Sequence, residues 1–395
     1  MTPRKDTVGR KTTSIPVGPQ HPALKEPESF TFEIDGETIV DVIPRLGYVH
    51  RGIEKAMESR TYIQNLYLAE RICGICSHSH TTCYAQGVEE LLDVKIPDRA
   101  NFIRVIIAEL ERIHSHMLWL GVAAHEIGFD TLFMHSWLDR ELVMDLLELI
   151  SGNRVNYAMN TIGGVRRNIS DDGGQKVKDS LADVEERMKH YVEVIKTDQS
   201  IRQRTKNIGP LNCTPAADLC AAGPTLRASG IARDVRKDDP YAAYGEIPFD
   251  VISYDGCDLF SRTLVRCEEI LEAIKITDYA IDNLPEGAIR VRAARKVPEG
   301  RVVSRLEAPR GELIHYCKSN GTDTPERYKV RAPTLANVLA LGNMLIGGNV
   351  ADIPIVLAGI DPCFSCMDRM AFVDTKSDKR WTWTQEDLQR YALKC

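Results

Sequence analysis

The sequence predicts an α+β chain in which a central helical bundle carries small peripheral β-sheets. Two observations predict it. A run opening at Pro97-Asp98 repeats apolar residues at helical spacing (Phe102, Ile106, Leu110, Ile113, Met117, Leu120), the mark of a long core helix, and helical patterns dominate the first half. Strict apolar-polar alternation, the mark of half-buried strands, is confined to short stretches towards the two ends.

In chain order, residues 30–34 and 37–42 alternate on either side of Asp35-Gly36, which reads as a β-hairpin. Residues 54–71 place Ile63, Leu66, Tyr67 and Ile72 at helical spacing, and a second helix is expected over 79–92. The long helix from Asp98 should be capped by that residue. Further helices are expected over 137–150, stopping at Ser151-Gly152, over 175–199 and over 259–284. Between 209 and 248 the Gly, Pro and charged content rises, so this stretch reads as a long loop over the surface or a subunit interface. Short strands follow at 302–306 and 329–331, and 353–358 reads as a short strand or extended run. No internal repeat or low-complexity tract is present.

With 395 residues, 43% of them hydrophobic, the chain can bury a sizeable core. A net charge of −6 without a basic run excludes nucleic acid as the main partner. The first 15 residues are polar, with Arg4, Lys5, Arg10 and Lys11, so no cleaved export signal is expected. The two most apolar stretches, 102–121 and 332–359, are interrupted by charged residues or asparagines and do not read as membrane spans.

Chemistry enters with two Cys-x-x-Cys pairs, Cys73-Gly74-Ile75-Cys76 and Cys363-Phe364-Ser365-Cys366, at opposite ends of the chain. Eleven cysteines without an export signal favour reduced thiols and soft-metal ligation over disulfides. The seven cysteines outside the pairs read as small buried hydrophobes or surface thiols. A zinc knuckle places its pairs ~15 to 20 residues apart, far closer than these. Spacing alone leaves structural zinc, an iron-sulfur cluster and a mixed-metal site open.

The flanks go further. The first pair stands in Arg71-Ile72-Cys73-Gly74-Ile75-Cys76-Ser77-His78-Ser79-His80, and the second in Asp361-Pro362-Cys363-Phe364-Ser365-Cys366-Met367-Asp368-Arg369. With Arg51-Gly52-Ile53-Glu54-Lys55, Gly163-Gly164-Val165-Arg166 and Glu307-Ala308-Pro309-Arg310-Gly311 in the same order, they resemble nickel-iron hydrogenase large subunits over nearly the whole chain. Gly18-Pro19-Gln20-His21-Pro22-Ala23 and Gly47-Tyr48-Val49-His50-Arg51-Gly52 resemble the quinone-site 49 kDa subunit of complex I, which lacks the four cysteines. The combination looks like the group 4 branch: membrane-bound, ferredoxin-linked, energy-converting hydrogenases.

That resemblance implies a hydrogenase large-subunit fold with an N-terminal hairpin region at 1–50, a catalytic helical core at 51–369 and a maturation tail at 370–395, cut after Arg369 once nickel is inserted. It implies nickel held by Cys73, Cys76, Cys363 and Cys366, with Cys76 and Cys366 bridging to an iron that carries carbon monoxide and cyanide. His80 would donate to a bridging thiolate, Arg310 would stand above the metals, and terminal Cys363 would accept the proton when dihydrogen is split. Glu26 matches the family's proton-relay glutamate, with Glu28 as the alternative. Glu54 matches a magnesium ligand; Arg369 replaces that ion's histidine, so a Glu54–Arg369 ion pair is expected instead. The family's aspartate after the His-rich helix is absent, with Ala124 and His125 near its expected position.

Expected partners follow from the resemblance as well: a small subunit with a four-iron four-sulfur cluster, other complex I-like hydrophilic and membrane subunits, ferredoxin, a maturation protease and nickel-insertion proteins. The chain would sit as a peripheral subunit on the cytoplasmic face of the membrane. A complex I-like oxidoreductase or sulfane-sulfur reductase subunit is the alternative.

Overall fold

The computed structural model describes residues 12–367 together with Asp387, Arg390, Tyr391 and Leu393. Arg369 and the cut site after it lie outside the described residues, as does nearly all of 370–395.

The chain opens with strands β1 (Thr13–Val17), β2 (Ser29–Asp35) and β3 (Thr38–Arg45), antiparallel in that order. The predicted hairpin is β2–β3, turning at Gly36 with φ +64°. Phe30, Phe32, Ile39 and Val42 form its buried face. Phe30 meets the ring of Phe364 at 6.1 Å, so this sheet directly backs the second cysteine pair.

The expected helix over 54–71 is two helices, α1 (Ile53–Met57) and α2 (Tyr62–Glu70). Thr61 breaks the run: its hydroxyl accepts from Gln64 N while Gln64 returns a bond to Thr61 N, a capping box worth about 1 kcal/mol. After the first cysteine pair come α3 (Ser77–Leu91) and the long α4 (Asp98–Glu126). Pro97, not Asp98, is the cap residue of α4; Asp98 instead lies in the first turn, where its charge suits the helix dipole.

Helices α5 (Asp130–Ser151) and α7 (Leu259–Asp282) pack on α4, and α6 (Asp171–Thr197) completes the bundle by packing on both of them. The six apolar residues singled out on α4 are all buried, so Leu110→Ala should cost about 2–5 kcal/mol. Because α4 is covered almost all round, it also buries Arg104, Glu109, Glu111, Arg112, His114 and His116.

Buried charges also correct in part the reading of 209–248 as a long loop over the surface or a subunit interface, because some of its charges lie inside this chain. Asp234 and Arg236 lie inside the molecule, where Arg236 binds Asp234 at 2.7 Å and Glu109 at 3.1 Å. Arg227 bridges Glu269 and Glu307, each at 2.7 Å. Polarity misled the sequence reading because charges that pair can be buried.

Strands β4 (Gly300–Ala308), β5 (Gly311–Ser319) and β6 (Pro325–Arg331) form a second antiparallel sheet, longer than the predicted fragments and with an unforeseen middle strand. It packs on α3. Then come α8 (Pro333–Leu345) and α9 (Ile353–Gly359). The last replaces the predicted extended run: Pro354 stands in its first turn, where proline suits a helix. No helix among the described residues is long and apolar enough to cross a membrane.

Candidate metal centre

The first cysteine pair forms the turn between α2 and α3. Cys73 Sγ accepts from Ile75 N at 3.4 Å and Cys76 N at 3.3 Å, so backbone donors surround a sulfur positioned to carry negative charge. Cys76 is the cap residue of α3, at the positive end of that helix.

The second pair follows α9, which is anchored to α4 through Trp119 Nε1 donating to Ala358 O at 2.8 Å. Cys363 N donates to Thr334 Oγ1 at 3.1 Å, and Phe364–Cys366 make one 3₁₀ turn. The two pairs meet there. Cys363 Sγ lies 3.2 Å from Cys73 Sγ and 2.9 Å from Cys366 Sγ. The sulfurs of Cys73, Cys363 and Cys366 all fall within 4.8 Å of one another. Arg310 joins Cys76 to the set, its Nη1 donating to Cys76 Sγ at 3.0 Å.

All four sulfurs are buried. Bonds from Cys363, Cys366 and Cys76 hold the Cys73 thiol well below its ordinary range, while burial pushes the Cys366 thiol up. This all-sulfur donor set fits a soft metal such as nickel or iron and not a hard cation. Cys83, Cys267 and Cys317 are buried elsewhere, and Cys213 and Cys220 are exposed, as the sequence suggested.

Arg310 sits at the β4–β5 turn. Its Nε donates to Asp361 O and its Nη2 to Asp361 Oδ1, both at 2.9 Å, which ties the turn to the residue preceding Pro362-Cys363. Asp361 has φ +52°, a strained conformation that this two-point grip holds. Burial works against the charge on Arg310, but Asp361 and then the cysteines outweigh it. Arg310 is therefore a fixed cation beside the sulfurs.

Glu26 also reaches the centre: it accepts from Ser365 N at 2.8 Å and Ser365 Oγ at 2.5 Å, inside the second pair. It also lines an open cavity of about 460 Å³ with His21 and Lys25. Glu28 is fully buried, with Oε2 lacking a hydrogen-bond partner among the described residues, and burial raises its carboxyl to about 7.

His80 sits one turn after Cys76, its N donating to Cys76 O at 3.0 Å. Its side-chain hydrogen bond joins Nδ1 and His315 Nε2 at 3.1 Å and does not reach a thiolate. Glu54 accepts from Val330 N at 2.9 Å and binds Lys329 Nζ at 2.5 Å, so a cation and an amide already occupy the carboxylate. The expected Glu54–Arg369 pair falls on a residue outside those described.

Near the position where the family's aspartate is expected and absent, Ala124 is buried and His125 is exposed and pairs with Asp130. The groups of α4 that feel the cysteine charges are Glu111 and His114. Glu111 accepts from His78 N at 2.6 Å and Ser79 N at 2.9 Å, anchoring the start of α3.

Sequence reasoning gave no role to Arg51. Its guanidinium donates to Arg71 O, Ile72 O and Ser365 O at 2.8, 2.6 and 2.8 Å, clamping the two cysteine loops together. Arg51 stood in a quoted motif, but only the fold brings Ser365 to it.

Residues 51–122 match the family model described as nickel-dependent hydrogenase. Residues 126–296 and 290–369 match that of the respiratory-chain NADH dehydrogenase 49 kDa subunit. The membrane-bound hydrogenase subunit alpha of Pyrococcus furiosus is 41% identical over 395 residues, covering 96% of this chain and 92% of that protein. The chain belongs to the family of group 4 hydrogenase large subunits and complex I 49 kDa subunits.

Other members of this hydrogenase/49 kDa family point both ways. The carbon monoxide-induced hydrogenase of Rhodospirillum rubrum is 41% identical, covering 91% of this chain and 99% of that protein. A chain of the archaeal membrane-bound sulfane sulfur reductase complex superposes with a TM-score of 0.86 at 31% identity, covering 91% of this chain and 98% of that one. The fold is thus the hydrogenase/49 kDa fold.

Proposed function

We propose that this chain is the catalytic subunit of a ferredoxin-linked, ion-translocating nickel-iron hydrogenase that reduces protons to dihydrogen and reversibly oxidises it. The observation that carries the reading is the convergence of buried cysteine sulfurs from both ends of the chain, those of Cys73, Cys363 and Cys366 within 4.8 Å of one another and that of Cys76 bonded to Arg310. Cys73, Cys76, Cys363 and Cys366 would hold nickel, with Cys76 and Cys366 shared with an iron bearing carbon monoxide and cyanide. When bound, that centre supplies the heterolytic cleavage and formation of dihydrogen.

The chain's own residues do the rest. Cys363 is the sulfur that holds the proton, and Glu26, bonded to Ser365 and open to the adjoining cavity, exchanges it with solvent. Arg310, fixed by Asp361, stabilises charge that develops in the water-poor pocket. His80, one turn after Cys76, would tune a sulfur of the centre. Lys329 on Glu54 supports an ion-paired corner in place of magnesium.

Residues 1–50, 51–369 and 370–395 act in this reading as hairpin region, catalytic core and maturation tail. A small subunit with a four-iron four-sulfur cluster would deliver electrons from ferredoxin. Complex I-like membrane subunits would use the released energy to move ions, with this chain peripheral on the cytoplasmic side. A maturation protease and nickel-insertion proteins would assemble the centre.

The test is hydrogen-deuterium exchange by the purified complex. Exchange that disappears in Cys363→Ser supports the reading. A complex that reduces polysulfide or quinone without exchange selects the second reading, favoured by the fold match to the sulfane sulfur reductase chain.

A further inference from the structure

We infer that Asn337 is a positioning residue that holds Arg310 in place beside the sulfurs, acting through the backbone of Ala222-Gly223. The contacts stand whatever the centre holds; their consequence for catalysis rests on the nickel-iron reading.

Asn337 lies on α8, an otherwise apolar helix, and is fully buried there. A buried amide costs free energy unless it is hydrogen-bonded, so where its bonds go shows what it does. Its Oδ1 accepts from Ala222 N at 2.9 Å, and its Nδ2 donates to Ala222 O at 3.3 Å. One side chain thus grips both main-chain groups of a residue 115 positions away. The next residue, Gly223, has φ +64° and ψ −144°, a conformation that glycine adopts readily.

The grip passes on by direct backbone contact. A Cβ on Gly223 would stand 2.4 Å from Arg310 O and 2.5 Å from Gly311 Cα, and a Cβ on Gly311 would stand 2.6 Å from Gly223 N and 2.8 Å from Ala222 C. The two segments touch main chain to main chain, with no side chain between them to absorb a shift. Ala222-Gly223 therefore backs the β4–β5 turn that carries Arg310. From that turn the guanidinium reaches Asp361 O and Oδ1 at 2.9 Å and Cys76 Sγ at 3.0 Å.

The same helix holds the second cysteine pair. Thr334, three residues before Asn337 and on the same face of α8, accepts from Cys363 N at 3.1 Å. Both residues are fully buried. One turn of α8 thus ties down the loop that delivers Cys363 and the segment that backs Arg310, and so sets the cation against the sulfurs. Arg112 steadies the strand before the turn from the α4 side, donating to Glu307 O at 2.8 Å, and this support is untouched by changes at Asn337.

The experiment joins a spectrum to kinetics. In the full chain labelled with ¹⁵N-arginine, the Arg310 Nε–H signal is the one lost in Arg310→Lys. Asn337→Ala removes both bonds to Ala222, and Gly223→Ala pushes on the Arg310–Gly311 peptide directly. Each should shift that signal and speed the exchange of its proton with water about tenfold or more. Asn337→Ser, too short to span both groups of Ala222, carries the same test where either of these fails to fold. In the nickel-loaded complex, Asn337→Ala should lower hydrogen-deuterium exchange ~10- to 10²-fold at unchanged nickel content, the cost of a small misplacement. Because the effect passes through Arg310, adding Asn337→Ala to Arg310→Lys should cost little more than Arg310→Lys alone. An Arg310 signal unchanged in the folded variants, or losses that multiply in the double variant, overturns the proposal. A complex without nickel defeats the nickel-iron reading, and the arginine signal then still decides whether Asn337 positions Arg310.

Discussion

Arg310 binds Cys76 Sγ with one nitrogen, at 3.0 Å, and holds Asp361 with the other two. One side chain thus connects a sulfur of the first pair to the backbone that delivers the second. Lysine could keep the charge but not the three-point geometry. Arg310→Lys should therefore lower hydrogen-deuterium exchange ~10²- to 10³-fold, as loss of one fixed donor does, with nickel content unchanged. Wild-type exchange in that variant would remove Arg310 from the chemistry.

Glu26 is the carboxylate in contact with the second cysteine loop, through Ser365. Replacing it with glutamine keeps the shape of the side chain but removes a group that can give up and take back a proton. Glu26→Gln should depress dihydrogen formation ~10²-fold or more while metal content stays at the wild-type level. If Glu28→Gln produces that loss instead, the buried carboxyl raised to about 7 is the relay.

Glu111 gives a pH prediction. Burial raises its carboxyl from 4.5 to about 8, against the bonds from Ser79 and His78. Between those values the folded chain holds a proton that the unfolded chain has released, so this group's contribution falls as pH rises from about 4.5 to about 8. The slope from one such group is at most ~1.4 kcal/mol per pH unit. Denaturant titrations of the metal-free chain across this range should show a flatter pH dependence in Glu111→Gln. An equal slope in the two proteins would contradict the assignment.

Glu54 is engaged by Lys329 and by Val330 N, an unwelcoming site for a dication. Elemental analysis of the purified subunit should find no stoichiometric magnesium. One magnesium per chain, lost in Glu54→Gln, would show that the carboxylate changes partner.

Much of this was legible in the sequence, for identifiable reasons. The long α4 and the β2–β3 hairpin announced themselves because one face of each is apolar at a regular period. The four cysteines, Arg310 and Glu26 could be found from motifs and family likeness, and the fold gathers all of them at one place. What stayed hidden was non-local. Asp234 and Arg236, which pair with each other, looked like surface charges because the partner that Arg236 meets inside the molecule, Glu109, lies far off in sequence. Arg51 reaches Ser365 only after both cysteine loops are folded, and His315 lies on a strand with no motif of its own. The helix α9 passed for an extended run because it is short and contains Pro354.

The central claim is that Cys73, Cys76, Cys363 and Cys366 hold a nickel-iron centre. Metal content of the purified complex, measured with its infrared spectrum, tests it most directly. The account predicts one nickel and one iron per chain at this site, with carbon monoxide and cyanide bands, and loss of nickel in Cys363→Ser. A wild-type complex without nickel and without those bands, or a Cys363→Ser complex that keeps both, would contradict it.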